Sequence, residues 1–463
     1  MRLPKLGVLS FSDPREEVYT RLRPRFSQML DDSLKALRST PNLDIVSNDK
    51  LIRSMDDVRK QAMHLKENSI ESLLVNLVGW TYPKLVVSAV SIVNQPCAVL
   101  ARNASSDFFA VSGSLSQVGI RHIRIVGDTK KENVLQRVVA FARAGAALTR
   151  LRGQTYGVFG GRSLGMYTAV GDPSQYQRVF GVDVEHVDQL EIVREAEKIP
   201  REQVQKFMEW LEENCGAIEY DNQLVTKEKV ERQIRCYLAT KELAKQFGFD
   251  FIGIKCQPEL SDKYVNQCLT AMLMPDPYDA DGSKEPVMCA CEVDYDGAMT
   301  MQIMKIISGG KPVLFMDLFL NLDDGIFNAV NCGGQPSWFA ECSDDPAENL
   351  KKIRLRPHFQ GKAGGAAITY VCKPGKYTLA RLCRRRGKYW MAILLCNFIE
   401  PPPTYRREPN GAFMDWSRID IESFIHEFDA NHIHAVVGDY TRELMDVCKF
   451  LGIEARIYNR QEE

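Results

Sequence analysis

Short apolar runs alternate with amphipathic segments throughout the first 150 residues of the chain. KLGVLSF has the β-rich composition of a buried strand, and residues 16–38 repeat apolar side chains at helical spacing. The same alternation continues through the apolar runs SLLVNLV, AVLAR and HIRIVGD, with helical segments between them. Short strands that alternate with helices form parallel, doubly wound sheets. We therefore predict a Rossmann-like domain over residues 1–152.

The rest of the chain is too long to share that core, since single cores stop growing near ~250–300 residues and the chain has 463. A strand and a glycine-rich turn in QTYGVFGGRSLGM open a predicted second α/β domain over residues 153–328, with charged helices over 190–214 and 226–247. Over residues 329–463, the runs GAAITYV, YTLARLC and YWMAILL indicate strands. The predicted fold class is α/β, with two Rossmann-like doubly wound domains followed by a strand-rich C-terminal domain.

The charge balance disfavours nucleic acid and a membrane surface as partners. Lys and Arg number 59 and Asp and Glu number 60, so the formal net charge is −1. No apolar run approaches the ~18–20 residues that span a bilayer, and the opening stretch MRLPKLGVLSFSDPREE carries charges too early for a signal peptide. The 13 cysteines lie scattered in apolar runs, as buried thiols do in a reducing compartment. We expect a cytoplasmic protein.

Acidic residues follow two of the predicted strands of the second domain. Glu292 and Asp294 come directly after the apolar run VMCAC, and Asp317 follows PVLFM. The separation between Glu292 and Asp317 is that of one strand–helix–strand crossover, which would place two carboxylates at one edge of a parallel sheet, where ligands bind. From spacing alone, the commoner explanation is that such acids cap helices or lie in solvated loops.

Two histidines begin a strand-like run in DANHIHAVVGDY. His432 and His434 are two positions apart, so in a strand they face the same side. A histidine at the start of a strand is more often a surface residue than a ligand. Two carboxylates and one imidazole, with further positions open, would nevertheless suit Mn²⁺ or a similar divalent ion.

Two other motifs indicate structure rather than chemistry. The run GGRSLGM lacks the spacing of a dinucleotide-binding glycine motif and predicts a tight turn. CRRRGK lies between two predicted strands, where a solvated hairpin is the default interpretation.

Several longer segments resemble the L-fucose isomerase family. CEVDYDGAMTMQIMKIISGGKPVLFMD is similar to the family segment that holds two metal-binding carboxylates, and DANHIHAVVGDYTRELMDVCKFLGI is similar to its C-terminal histidine segment. NCGGQPSWFA, KPGKYTLARL and GVFGGRSLGMYTAVGD also resemble family signatures, in order along nearly the whole chain. The L-arabinose isomerases share the fold more distantly.

The resemblance implies a metal site and two catalytic residues. Glu292 and Asp317 match the two carboxylates, which are both ligands and proton carriers, and His432 matches the histidine. His434 remains the alternative ligand if the register is shifted by two. The implied activity is the interconversion of an aldose and a ketose through an enediolate intermediate, assisted by Mn²⁺ or another divalent metal. No redox cofactor is needed for this reaction.

The resemblance also implies substrate-binding residues and an oligomer. Arg15 and Trp80, in FSDPRE and GWTYP, would reach the active site of a neighbouring subunit, so that a homotrimer or homohexamer shares its active sites. Asn431, directly before the metal histidine, is a further substrate-binding candidate. Asn331 is another, at a position where some relatives carry histidine before Cys-Gly.

Two alternatives stay open at this point. The loop TYRREPNGAF departs from fucose-specific relatives, and Arg406 and Arg407 could bind an anionic sugar such as a 6-sulfonated, sulfoquinovose-like hexose. The chain could also be a non-catalytic sugar-binding protein, because Rossmann-like pairs resemble periplasmic sugar-binding folds.

Overall fold

The computed structural model of the chain describes residues 2–322 and 325–460. They form two compact units. The first comprises residues 1–152 together with 442–452, and the second comprises residues 153–441 together with 453–463, in both cases as far as the residues are described.

The first unit is built on a parallel sheet. Its strands are β1 (Lys5–Phe11), β2 (Asp44–Val46), β3 (Leu51–Ile52), β4 (Ser72–Leu77), β5 (Cys97–Ala101) and β6 (His122–Val126). The order is β2-β1-β4-β5-β6, with β3 beside the end of β1, and every pairing is parallel. The predicted strand KLGVLSF is confirmed over its whole length as β1.

Helices cover both faces of this sheet. They are α1 (Glu16–Arg38), α2 (Met55–Glu67), α3 (Pro83–Val93), α4 (Ser106–Gln117) and α5 (Glu132–Leu151). Alternate residues of β4 enter different cores, since Leu73 and Val75 pack in one apolar cluster and Leu74 packs in another. A strand whose side chains are buried on both faces has a nearly continuous apolar sequence, which explains the composition of SLLVNLV.

The second unit begins with a smaller parallel sheet. Its strands are β7 (Thr155–Phe159), β8 (Asp183–Val187), β10 (Phe251–Ile254) and β13 (Cys289–Cys291), in the order β13-β10-β7-β8. Between them lie α6 (Pro173–Phe180), α7 (Leu190–Lys198), α8 (Arg201–Asn214), α9 (Lys227–Phe247), α10 (Glu259–Lys263) and α11 (Cys268–Leu273), with the short strands β9 (Ala217–Ile218), β11 (Tyr278–Asp279) and β12 (Gly282–Ser283). The single helix predicted over 190–214 is wrong, because Pro200 cannot continue a helix and separates α7 from α8.

After the small parallel sheet, the chain forms a seven-stranded sheet. The elements are α12 (Tyr295–Ile307), β14 (Leu314–Asn321), β15 (Ile326–Val330), a 3-10 helix (Ser337–Ala340), α13 (Pro346–Leu350), β16 (Arg354–Pro357), β17 (Ala366–Thr369), β18 (Gly375–Arg385), β19 (Lys388–Ile399), β20 (Ala412–Asp415), α14 (Ile421–Glu427), β21 (His432–Val437), α15 (Thr441–Leu451) and β22 (Glu454–Ile457). The order of the large sheet is β18-β21-β14-β15-β20-β19-β22, and β18 also pairs with β19, while β16 and β17 join β9 in a separate three-stranded sheet. Most of α15 belongs to the first unit.

The central helix of the second unit is α12, and all of its residues are buried. It packs against β10 and β13 of the parallel sheet and against β18 and β21 of the large sheet. A helix enclosed on all sides is largely apolar on every side, which explains the prevalence of apolar residues in GAMTMQIMKII. The predicted fold class is confirmed: parallel sheets with flanking helices are followed by a strand-rich sheet.

Asp317 and the predicted boundary between residues 328 and 329 both lie in strands of the large sheet. Glu292 and Asp317 do not follow neighbouring parallel strands, because β14 lies in the large sheet and pairs antiparallel with β15 and β21. The predicted boundary between residues 328 and 329 lies inside β15, which pairs with β14 on one side and β20 on the other. The large sheet therefore takes strands from both sides of that boundary.

The basic run CRRRGK forms the expected hairpin between β18 and β19. Arg386 and Gly387 occupy the turn, both with positive φ. Two such residues make the turn whose twist matches antiparallel strands.

Within the described ranges, each helix is too short or too polar to cross a bilayer.

Candidate active site

Glu292 stands at a strained turn directly after β13. Its φ is 59° and that of Val293 is 56°, so two consecutive residues other than glycine adopt the left-handed region. This conformation is costly for a β-branched residue such as Val293, and strain of this kind concentrates at functional sites. Asp294 then returns to extended geometry and caps α12, accepting a hydrogen bond from the Gly297 amide.

Asp317 and His432 are brought together by the pairing of β14 with β21. The antiparallel register places Asp317 directly opposite His432 and Phe315 opposite His434. Residues two apart on a strand share a face, so all four side chains lie on one side of the sheet. The Phe315 ring packs against both imidazoles, with centroid distances of 4.4 Å to His432 and 5.0 Å to His434.

One imidazole nitrogen meets both predicted catalytic carboxylates. His432 Nε2 lies 3.2 Å from Glu292 Oε2 and 3.4 Å from Asp317 Oδ1. The imidazole is buried, whereas the side chains of Glu292 and Asp317 remain 12% and 30% exposed. The three predicted ligands therefore converge at a point that a small molecule can reach from the carboxylate side.

The other imidazole nitrogen is held by a buried charge pair. His432 Nδ1 donates to Asp294 Oδ2 at 2.6 Å. Arg381, in the middle of β18, donates from both terminal nitrogens to the two oxygens of Asp294. The side chains of Arg381 and Asp294 are 1% and 0% exposed.

Electrostatics separate the two histidines. Burial acts to lower the pKa of His432, but the carboxylates of Asp294, Asp317 and Glu292 outweigh it and hold that pKa well above 6.5. Burial and the Arg381 charge hold the pKa of His434 well below 6.5. His434 is therefore a neutral buried ring, whose Nε2 accepts from Arg381 at 3.3 Å.

Asp294 is ionised although it is fully buried. Burial acts to raise its pKa, and the Arg381 guanidinium and the His432 imidazole together bring that pKa far below its usual range. The charge of this carboxylate is thus balanced inside the protein.

The donor set suits a hard or borderline divalent ion. As they stand, no three or more His, Cys, Asp and Glu side chains in the described part of the chain are arranged to hold an ion. Here His432 Nε2 instead lies within hydrogen-bonding reach of the two carboxylates. Two ligands at about 2.1 Å from an octahedral ion and at right angles lie about 3.0 Å apart. The separations of His432 Nε2 from Glu292 Oε2 and from Asp317 Oδ1 are close to this value, so the three residues could hold such an ion after small movements.

Asn431 adjoins this site on the exposed side. Its amide nitrogen lies 2.8 Å from His432 Nε2 and 3.4 Å from Asp317 Oδ1. The glycine-rich loop after β7 also reaches it, because Thr168 Oγ1 lies 3.5 Å from the Asn431 amide oxygen and the Met166 sulfur lies 3.7 Å from its nitrogen. The loop that the sequence identified only as a tight turn therefore lies against the candidate site.

The side chain of Asn331 stabilises a turn beside the candidate site. It follows β15, whose Val330 pairs with Asp317. The Asn331 side-chain oxygen accepts from the amides of Gly333 and Gly334, so this side chain shapes the turn beside the site.

The arginine-bearing loop ends near the site. Arg406 and Arg407 are exposed, and the loop runs into β20, which pairs with β15 one strand beyond Asp317. Two strand spacings separate β20 from β14, about 10 Å.

The other two predicted substrate residues belong to the first unit. Arg15 follows β1 and is exposed, and it binds Asp13 through its guanidinium. Trp80, after β4, is 37% exposed. Both lie where ligands bind in parallel sheets, beyond the carboxyl ends of strands.

Two domain models of one protein family, the L-fucose isomerases, match this chain. The L-fucose isomerase first N-terminal domain matches residues 3–153, and the L-fucose isomerase C-terminal domain matches residues 329–458. A sulfoquinovose isomerase from Priestia aryabhattai is 19% identical over 430 residues, which cover 89% of this chain and 91% of that protein. An L-fucose isomerase from Haemophilus influenzae is 25% identical over 435 residues, covering 75% of this chain and 72% of that protein.

Proposed function

The chain belongs to the L-fucose isomerase family of sugar isomerases, and we propose that it converts a free aldose into a ketose through an enediolate at a divalent metal site. Glu292, Asp317 and His432 would hold the ion, which we propose to be Mn²⁺. The observation that carries the proposal is the approach of His432 Nε2 to both carboxylates, at 3.2 Å and 3.4 Å. Family membership speaks against a non-catalytic sugar-binding protein.

The chemistry needs a polarised carbonyl and a proton carrier. When bound, a divalent ion supplies Lewis-acid polarisation of the sugar oxygens O1 and O2. Glu292 and Asp317 are the two carboxylates at the reacting end of the sugar, and they would move a proton from C2 to C1 and between the oxygens. Their partial exposure leaves room for the sugar, while burial of His432 keeps the far side of the site dry.

Removal and return of metal, with a panel of sugars, tests the proposal. We expect ketose formation from at least one aldose when Mn²⁺ is supplied, loss of activity in EDTA, and recovery when Mn²⁺ is added back. The panel should contain L-fucose, D-arabinose and a 6-sulfonated hexose, and the ketose is measured by chromatography. Full activity in EDTA, with metal content verified as zero, would contradict the metal site.

An anionic sugar is the second candidate substrate. It is favoured by the sulfoquinovose isomerase relatives, whose similarity extends over 89% of this chain. Arg406 and Arg407 are exposed on a loop that ends near Asp317, and guanidinium groups bind sulfonate oxygens in pairs. A metal held by Glu292, Asp317 and His432 would bind only O1 and O2 of the sugar, so other side chains would have to recognise the distal end.

If this loop binds the anion, Arg406→Ala or Arg407→Ala should raise KM for a 6-sulfonated hexose tenfold or more, on the order of 1.4 kcal/mol. KM for a neutral aldose should change little. Steady-state kinetics on both sugars measure the difference, with Arg178→Ala, an exposed arginine on α6, as the control. Turnover of L-fucose or D-arabinose, with none of any anionic aldose, would return the assignment to neutral sugars.

We also propose a cytoplasmic homotrimer or homohexamer that shares its active sites. Arg15 and Trp80 are exposed beyond the carboxyl ends of β1 and β4 in the first unit, where they could contact sugar in a neighbouring subunit. A reducing compartment suits the chain, because all 13 cysteines are free thiols.

A further inference from the structure

The charge pair of Asp294 and Arg381 lies behind the candidate site and is more deeply buried than the site itself. Arg381 points from the middle of β18 to the start of α12, where Asp294 is the capping residue. Replacing a buried ion pair by apolar residues is often neutral or stabilising. A contribution to stability therefore does not explain why this chain has a buried charge pair at this position.

Every acceptor position of Asp294 is used. Oδ2 accepts from Arg381 Nη1 and from His432 Nδ1, while Oδ1 accepts from Arg381 Nη2 and the Gly297 amide. A carboxylate has about four such positions. All four neighbours are donors, so only a group that accepts on both oxygens fits here.

This arrangement decides which nitrogen of His432 carries the proton. Since Asp294 can only accept, Nδ1 must donate, and in the neutral ring the lone pair is left on Nε2. Nε2 is the nitrogen that lies 3.2 Å and 3.4 Å from the proposed carboxylate ligands. The Phe315 ring restrains the imidazole further by packing against it.

We propose that Asp294 and Arg381 are positioning residues, which hold the His432 ring in the tautomer and orientation that a metal ligand needs and thereby set the affinity of the site for a divalent ion. Arg381 acts through Asp294, and Asp294 acts through His432. The inference rests on the proposed metal site at Glu292, Asp317 and His432.

The test is Mn²⁺ affinity of the purified full chain, measured by titration with electron paramagnetic resonance. Asp294→Asn keeps the size of the side chain but sets an amide N–H₂ against donors. We expect it to weaken Mn²⁺ binding by ~10–100-fold, the usual effect of losing a partner behind a metal ligand. Arg381→Lys keeps the charge but loses the paired hydrogen bonds, and it should weaken binding in the same direction.

The chain offers a matched control for the loss of a buried carboxylate–arginine pair. Glu71 in the first unit is 1% exposed and binds Arg150 through both oxygens. Glu71→Gln should disturb stability as Asp294→Asn does, yet leave Mn²⁺ affinity unchanged. ¹⁵N resonances of His432 in the metal-free protein, recorded above the raised pKa of that ring so that it is neutral, give a second measurement. If the pair is purely structural, the His432 tautomer should be the same in Asp294→Asn as in the wild type.

The outcomes separate this inference from the proposed function. A wild-type chain that binds no Mn²⁺ overturns both. A wild-type chain that binds one Mn²⁺, with equal affinity in Asp294→Asn, Arg381→Lys and Glu71→Gln and an unchanged His432 tautomer, overturns the positioning role alone. Weaker binding in the first two variants, with Glu71→Gln unchanged, supports it.

Discussion

Glu292→Gln and Asp317→Asn are each expected to lower turnover by ~10²–10⁴-fold or more while the protein remains folded. Each carboxylate is proposed both as a metal ligand and as a proton carrier, and an amide of the same shape can perform neither role. Both side chains are partly exposed, so the change buries no unpaired group. Measurement of kcat on a verified substrate with saturating Mn²⁺, beside the melting temperature, checks the expectation.

Glu259→Gln is a suitable control for these variants. Glu259 begins α10 after the neighbouring strand β10, and its contact is an ion pair with Lys255 at 2.6 Å. Its loss should cost at most about 1 kcal/mol of stability and leave kcat unchanged. A kcat close to the wild-type value in Glu292→Gln or Asp317→Asn would remove that residue from the proposed site.

Local sequence patterns predicted the helices and strands well, because these elements depend mainly on residues that are close together in the sequence. Strand β1 and helix α1 occur at the positions that the apolar spacing indicated. The partners of β14 could not be predicted in this way. An apolar run such as PVLFM is compatible with a parallel or an antiparallel neighbour, and the pairing of Asp317 with His432 joins distant parts of the chain. The convergence of the two carboxylates was expected, but the route by which the chain achieves it was not.

Arg381 shows what sequence patterns conceal. In YTLARLC it shares a strand face with Leu379 and Cys383, which are buried. An arginine on an otherwise apolar strand face was therefore the only sequence signal that Arg381 is buried. A charged residue in a strand is usually exposed. Its partner Asp294 is 87 positions away, and that acid also looked like an ordinary helix cap. Only the packing of α12 against β18 reveals that the two charges meet.

The same packing distinguishes the two histidines that the sequence left as alternatives. His432→Ala should weaken Mn²⁺ binding by at least ~100-fold, since a direct ligand contributes more than the ~10–100-fold of a group behind it. His434 Nε2 instead accepts from Arg381. His434→Ala should therefore lower the free energy of unfolding by roughly 1–3 kcal/mol, through an unsatisfied buried donor, and change Mn²⁺ affinity less than His432→Ala does.

Titration of both variants with Mn²⁺, beside thermal unfolding of the metal-free proteins, separates affinity from stability. His434→Ala must be compared at a temperature where it is fully folded, because loss of folded protein would imitate loss of binding. If His434→Ala lowers the affinity more than His432→Ala under that condition, the ligand is His434 and the register of the site is shifted by two residues. The Asp317–His432 pairing in the antiparallel sheet leads us to expect the opposite order, because it places His432 Nε2, rather than His434, between the two carboxylates.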